Sequence, residues 1–149
     1  MTDHPAEQGR QAFQSGLYCA ESVLLAIARS QGIESPLIPR IATGFCSGIA
    51  NTRGMCGALS GAIMGLGLLL GRDTPAQSVE PVYAAVQQVL ERFQAEFGST
   101  GCYELCGCAL GTPEGEARFV ATNQGARCAA YVAAAVRLVL AIGGDGGAA

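Results

Sequence analysis

The sequence has one histidine, His4, no lysine, and charged residues at only 14% of its 149 positions. Its nine basic residues are arginines that stand singly, and the formal net charge is -3, so it offers no basic surface of the kind that holds nucleic acid. A lone histidine four residues from the start leaves no base for a Cys-His nucleophile, which speaks against hydrolysis of the cysteine-protease kind. The GTPEGE run at 111–116 lacks the lysine and the preceding strand of a phosphate loop. No segment alternates apolar and polar residues, so no strand is predicted, and nothing repeats at a fixed period. Neither Cys-x-x-Cys nor Cys-x-x-Cys-His occurs, which excludes covalent attachment of a c-type haem. The first residues, MTDHPAEQGRQAF, lack the charged start and apolar core of a secretory signal, so a cytoplasmic setting is expected.

What is present is apolar: half of all residues, with 21 glycines. Length and composition predict one globular domain over 1–149, with a short polar segment at 1–4 and a Gly-rich tail at 143–149. The periodicity predicts helices over 5–15, 18–31, 36–44, 55–70, 114–123 and 126–142. A capping signature at Thr74-Pro75-Ala76-Gln77 predicts the start of the longest helix, which Pro81 would kink, and a short helix is expected over 102–106. Residues 45–54, FCSGIANTRG, read as a loop. The fold class expected is all-α, an irregular bundle of about five to seven helices around a central Gly-rich one.

That central helix lies in a stretch of 18 uncharged residues between Arg53 and Arg72, just long enough to raise the question of a membrane span. Its glycines and the lack of a second such stretch favour a buried helix. Gly57, Gly61 and Gly65 recur every fourth residue and make a bare stripe for close helix packing, or for contact with a second copy in a homodimer.

Seven cysteines remain to be explained, an odd number that cannot all pair within the chain. Cys19, Cys56, Cys102 and Cys128 each follow a Gly-containing break and precede an apolar run, so each is expected near a helix start, where unpaired N–H groups favour a thiolate. Cys46 and Cys108 sit beside Gly48 and Gly107, where backbone amides can reach sulfur, and are further candidate ligands. Cys106 has leucine and alanine neighbours and reads equally well as packing. Plain burial is the bland explanation for any of them, because free cysteine packs as a small hydrophobe. Arg53 and Arg127 stand close before candidate cysteines and would either offset thiolate charge or be solvated.

An all-sulfur ligand set selects an iron-sulfur cluster, zinc or copper(I), and a chain with its own core has little need of structural zinc. The reading is therefore a redox-active protein holding an iron-sulfur cluster through a subset of Cys19, Cys46, Cys56, Cys102, Cys108 and Cys128, for electron transfer or storage with a redox partner protein. Two alternatives stay open. One is a metal-free thiol-disulfide or sulfur-relay oxidoreductase with Cys56 and Cys102 as catalytic thiols. The other is a non-redox helical module that dimerises through its glycine stripe.

Cys19-Ala20-Glu21-Ser22-Val23, GFCSGIANTRGMCGALSGAIMGLGLLLGR at 44–72, FGSTGCYELCGCALGTPEG at 97–115 and Cys128 together resemble a bacterial and archaeal family named C_GCAxxG_C_C and described as redox-active. The resemblance spans nearly the whole chain. It implies that Cys19, Cys56, Cys102 and Cys128 are the signature cysteines, that Cys46 and Cys108 belong to a cysteine-richer branch, and that Cys106 is peculiar to this chain. Similar domains are fused to haem-binding segments in split-Soret-type cytochromes, where the resemblance implies an iron-sulfur centre.

Overall fold

A computed structural model describes residues 4–144, so residues 1–3 and most of the expected Gly-rich tail lie outside it. Among the described residues there is no strand, only one isolated bridge between Met55 and Gly101. The all-α architecture has eight α-segments: α1 His4–Gln14, α2 Cys19–Ser30, α3 Cys46–Asn51, α4 Gly57–Leu70, α5 Glu80–Phe97, α6 Cys102–Cys106, α7 Pro113–Ala121 and α8 Gln124–Val139. A 3-10 turn, Arg40–Phe45, precedes α3, and α8 continues as a wider π turn, Leu140–Gly144, taking in two glycines expected in the tail.

The Gly-rich helix α4 lies at the centre, against α2, α5 and α8. Its glycine stripe is used within the chain. A Cβ at Gly61 would meet the Ala20 carbonyl oxygen at 2.6 Å and Val23 Cβ at 2.9 Å, and one at Gly57 would meet Cys19 Cβ at 3.1 Å. Only bare backbone lets α2 come this close, so the stripe is an internal seam and not the outer face that a dimer built on it requires. Close seating of α2 buries Val23 and Ile27 with Leu59 and Leu66, and α8 adds Val132, Val136 and Val139 to the same core. This burial of hydrocarbon offsets the roughly 1 kcal/mol that each helical glycine costs relative to alanine.

The helix expected over 36–44 is instead a turn followed by the 3-10 segment Arg40–Phe45, and the start of the longest helix also differs from expectation. Helix α5 begins at Glu80, and Pro81 sits in its first turn, where a proline has no N–H bond to lose, so no kink arises. The Thr74 signature folds instead as a turn in which Gln77 Oε1 accepts from the Asp73 and Thr74 backbone N–H groups. The 14-residue α4 is too short to cross a membrane. The stretch Gln124–Gly144 is the one described helix long and apolar enough to do so, and half of its most apolar window is buried inside the molecule, as a core helix would be.

Candidate functional site

Five of the seven thiols face one cavity of about 380 Å³: Cys19, Cys56, Cys102, Cys106 and Cys128. Each reaches it from a helix end or from one helical face. Cys19 is the first residue of α2, and Glu21 Oε1 fixes that end by accepting from the Tyr18 N–H at 2.9 Å while Glu21 Oε2 accepts from Thr43 Oγ1 at 2.8 Å. Cys56 is the N-cap of α4, where its carbonyl accepts from the Leu59 and Ser60 N–H groups at 2.9 and 3.1 Å. Cys102 opens α6 after Gly101, and its N–H donates to the Gly54 carbonyl at 3.0 Å. Cys106 lies four residues further along α6 and therefore on the same face. Cys128 lies in the second turn of α8. Phe13, Leu105, Leu110, Phe119 and Tyr131 supply an apolar wall, and Glu116 is the one acidic side chain in the lining. Tyr131 ties that wall to the core through Phe93 and Phe97, at ring separations of 5.9 and 4.9 Å.

The other two thiols lie apart from the cavity lining. Cys46 is 3% exposed and packs with Ala20, Leu24 and Ala42, and its S–H points at the Ala42 carbonyl at 3.8 Å. Cys108 is also buried and borders a smaller cleft with Arg53, Tyr103 and Cys102. The Arg53 guanidinium stacks on the Tyr103 ring at 4.3 Å, and Arg127 is exposed.

Sequence reasoning expected the helix starts to lower the thiol pKa values, and the structure reverses this for most of them. Burial pushes Cys56 up to about 11 and Cys102 up to about 12, and negative charge on neighbouring sulfurs adds to both. Cys46 and Cys108 are raised by burial as well. A helix start offers a partial charge, whereas crowded, largely buried thiols each resist a second full charge, and the larger effect wins. Cys19 and Cys128 influence each other in opposite directions: Cys128 and burial raise Cys19, while Cys19 lowers Cys128, to whose sulfur the Gln124 amide also donates at 4.0 Å.

The loop expected at 45–54 is an unusual wall for this site. Ser47, Gly48, Ile49, Ala50 and Asn51 all take left-handed dihedrals, with φ between 53 and 65°. For residues other than glycine this costs about 1–2 kcal/mol each, so the surroundings must impose it. They do so through the Gly48 carbonyl, which accepts from the Gly54 N–H at 2.8 Å and from Thr52, and through contact at Gly48, where a Cβ would meet Cys102 Cβ at 2.7 Å. Ser47 and Asn51 are thereby held at the cavity beside Cys102.

The family model described as "Putative redox-active protein (C_GCAxxG_C_C)" matches residues 17–142. The chain belongs to the C_GCAxxG_C_C family. The match takes in every thiol of the cavity and every helix except α1. No curated protein and no solved structure matches the chain significantly. Membership makes a cysteine-centred redox role the coarse statement of what this family member does.

Among the described residues, no three Cys, His, Asp or Glu side chains close around one point as a single metal ion requires. The cavity thiols surround a space instead. The lining joins five thiols with the oxygen-bearing side chains of Ser47, Asn51 and Glu116, a sulfur-rich donor set that suits a thiophilic centre better than a lone hard cation. Sequence reasoning passed over Cys106 as a cavity residue, although its i+4 spacing from Cys102 in a predicted helix was the available signal.

Proposed function

We propose that this C_GCAxxG_C_C protein carries an iron-sulfur cluster in the cavity, held by Cys19, Cys56, Cys102 and Cys128, and uses it to transfer or store electrons. The observation that carries the reading is the meeting of thiols from α2, α4, α6 and α8 around one space. Each of these sulfurs comes from a different element, so the fold, and not a local motif, supplies the ligand set. Mutual repulsion disfavours several bare thiolates together, and a bound cationic centre relieves it, as metal binding does when it releases thiol protons. The apolar wall of Leu105, Leu110 and Phe119 limits water at the site, which is one of the levers that sets a cluster's potential.

Anaerobic purification followed by iron and acid-labile sulfide analysis tests the proposal. Bound iron and sulfide, with visible absorption lost on mild oxidation, is the expected result. A colourless protein that takes up neither iron nor sulfide on reconstitution overturns it.

A second reading rests on the presence of Cys19 and Cys128 at one cavity with their proton affinities moved apart, Cys19 raised and Cys128 lowered. In it Cys128, the readier nucleophile, attacks a partner's disulfide and Cys19 resolves the mixed disulfide, while Cys56 and Cys102, raised to about 11 and about 12, are the poorer attackers. Metal-free protein that forms a single reversible Cys19–Cys128 bond under mild oxidation supports it over the cluster.

A further inference from the structure

Cys106 and Cys108 stand outside the four-thiol set and are joined to each other more closely than packing requires. Gly107 takes the left-handed conformation that ends α6, with φ of 67°, and this reversal folds Cys108 back onto the last helical residue. The Cys108 N–H donates to Cys106 Sγ at 3.2 Å, the Cys108 S–H to the Cys106 carbonyl at 3.3 Å, and the Cys106 S–H to the Cys108 carbonyl at 3.4 Å. Both side chains are buried, at 8% and 2% exposure, yet Cys106 opens onto the larger cavity and Cys108 onto the smaller cleft. Cys102 also neighbours Cys106, but residues at i and i+4 of an α-helix keep their Cβ atoms about 5–6 Å apart, beyond the roughly 3.5–4.5 Å that a disulfide spans. Across the glycine reversal that restriction is lifted.

We infer that the Cys106-Gly107-Cys108 turn is a redox-active dithiol that closes to a local disulfide by exchange with a small-molecule disulfide entering the cavity. The step balances without a metal. Cys106, as thiolate, attacks one sulfur of the incoming disulfide, breaking its S–S bond and releasing one small thiolate, which takes up the proton that Cys106 gave up. Cys108 loses its proton and attacks Cys106 Sγ, forming the Cys106–Cys108 bond and expelling the second small thiolate, which takes that proton. Two protein thiols are oxidised and one disulfide is reduced to two thiols. The inference rests on the contacts of this turn alone and stands whether or not the other four thiols hold a cluster.

The test is equilibration of the reduced, full-length protein, both as purified and after iron removal, with mixtures of glutathione and its disulfide. Acid quenching, alkylation of free thiols and tryptic digestion follow. Cleavage after Arg92 and Arg118 leaves Cys102, Cys106 and Cys108 in one peptide, and fragmentation locates the bond. The expected product is that peptide with Cys102 alkylated and Cys106 joined to Cys108, reversed by excess glutathione. Cys106→Ser and Cys108→Ser each abolish it, with circular dichroism of the reduced variants showing that the helices persist. A peptide alkylated at all three cysteines across the series, a Cys102–Cys106 bond, or glutathione left on Cys108 in place of an internal bond overturns the inference.

Discussion

Cys128 gives up its proton more readily than an ordinary cysteine because of its neighbour Cys19 and then of the Gln124 amide, which donates to its sulfur, while Cys56 and Cys102 hold theirs up to about 11 and about 12 because they are buried among other thiols. Alkylation follows the thiolate fraction, so in metal-free reduced protein between pH 7 and 9 Cys128 is modified first and Cys56 and Cys102 lag. Cys19→Ala removes the neighbour with the largest lowering influence, raises the Cys128 pKa and moves its alkylation profile to higher pH. Gln124→Leu moves it in the same direction by less. Site-resolved mass spectrometry over a pH series reads both shifts. The cysteine positions near helix starts were legible from glycine punctuation and apolar runs. Their protonation was not, since burial and neighbouring charge are properties of the assembled pocket.

At the scale of elements, the seam between α2 and α4 has a sharp signature. Gly61→Ala drives a Cβ into the Ala20 carbonyl, which a backbone cannot easily yield, and is expected to destabilise the protein by about 2 kcal/mol or more. Gly67→Ala, on the same helix with nothing within 4 Å, should raise stability by up to about 1 kcal/mol through helix propensity. Thermal melts of the two variants should therefore move in opposite directions. The left-handed run makes the reverse prediction: Ala50 is exposed at φ of 53°, so Ala50→Gly relieves strain and should stabilise by about 1 kcal/mol in denaturant titration. The glycine stripe was readable as a packing surface because its period is helical. The conformation of 47–51 was not, since serine, isoleucine and alanine there favour right-handed backbone and only contacts with Gly54, Thr52 and Cys102 impose the other hand. The start of α5 was misplaced for a related reason: two N-terminal signatures compete between Thr74 and Pro81, and local sequence does not rank them.

For the molecule as a whole, periodicity disclosed a helical bundle, and the spread of cysteines along the chain raised the question of their convergence, but only the packing of α2, α4, α6 and α8 brings five of them to one cavity. That packing also sorts the candidates. Cys46, which looked as eligible as the others beside its glycine, lies in a separate apolar cluster with Ala42 and Leu24. In the proposed function the cavity thiols, and not cysteine content in general, make the redox centre. Its most direct test is the iron bound after anaerobic reconstitution of Cys19→Ser, Cys56→Ser, Cys102→Ser and Cys128→Ser, set against Cys46→Ser and the unmodified protein. Each of the four cavity variants is expected to lose most of its iron while Cys46→Ser retains it. Equal iron in all five variants, or loss confined to Cys46→Ser, would contradict it.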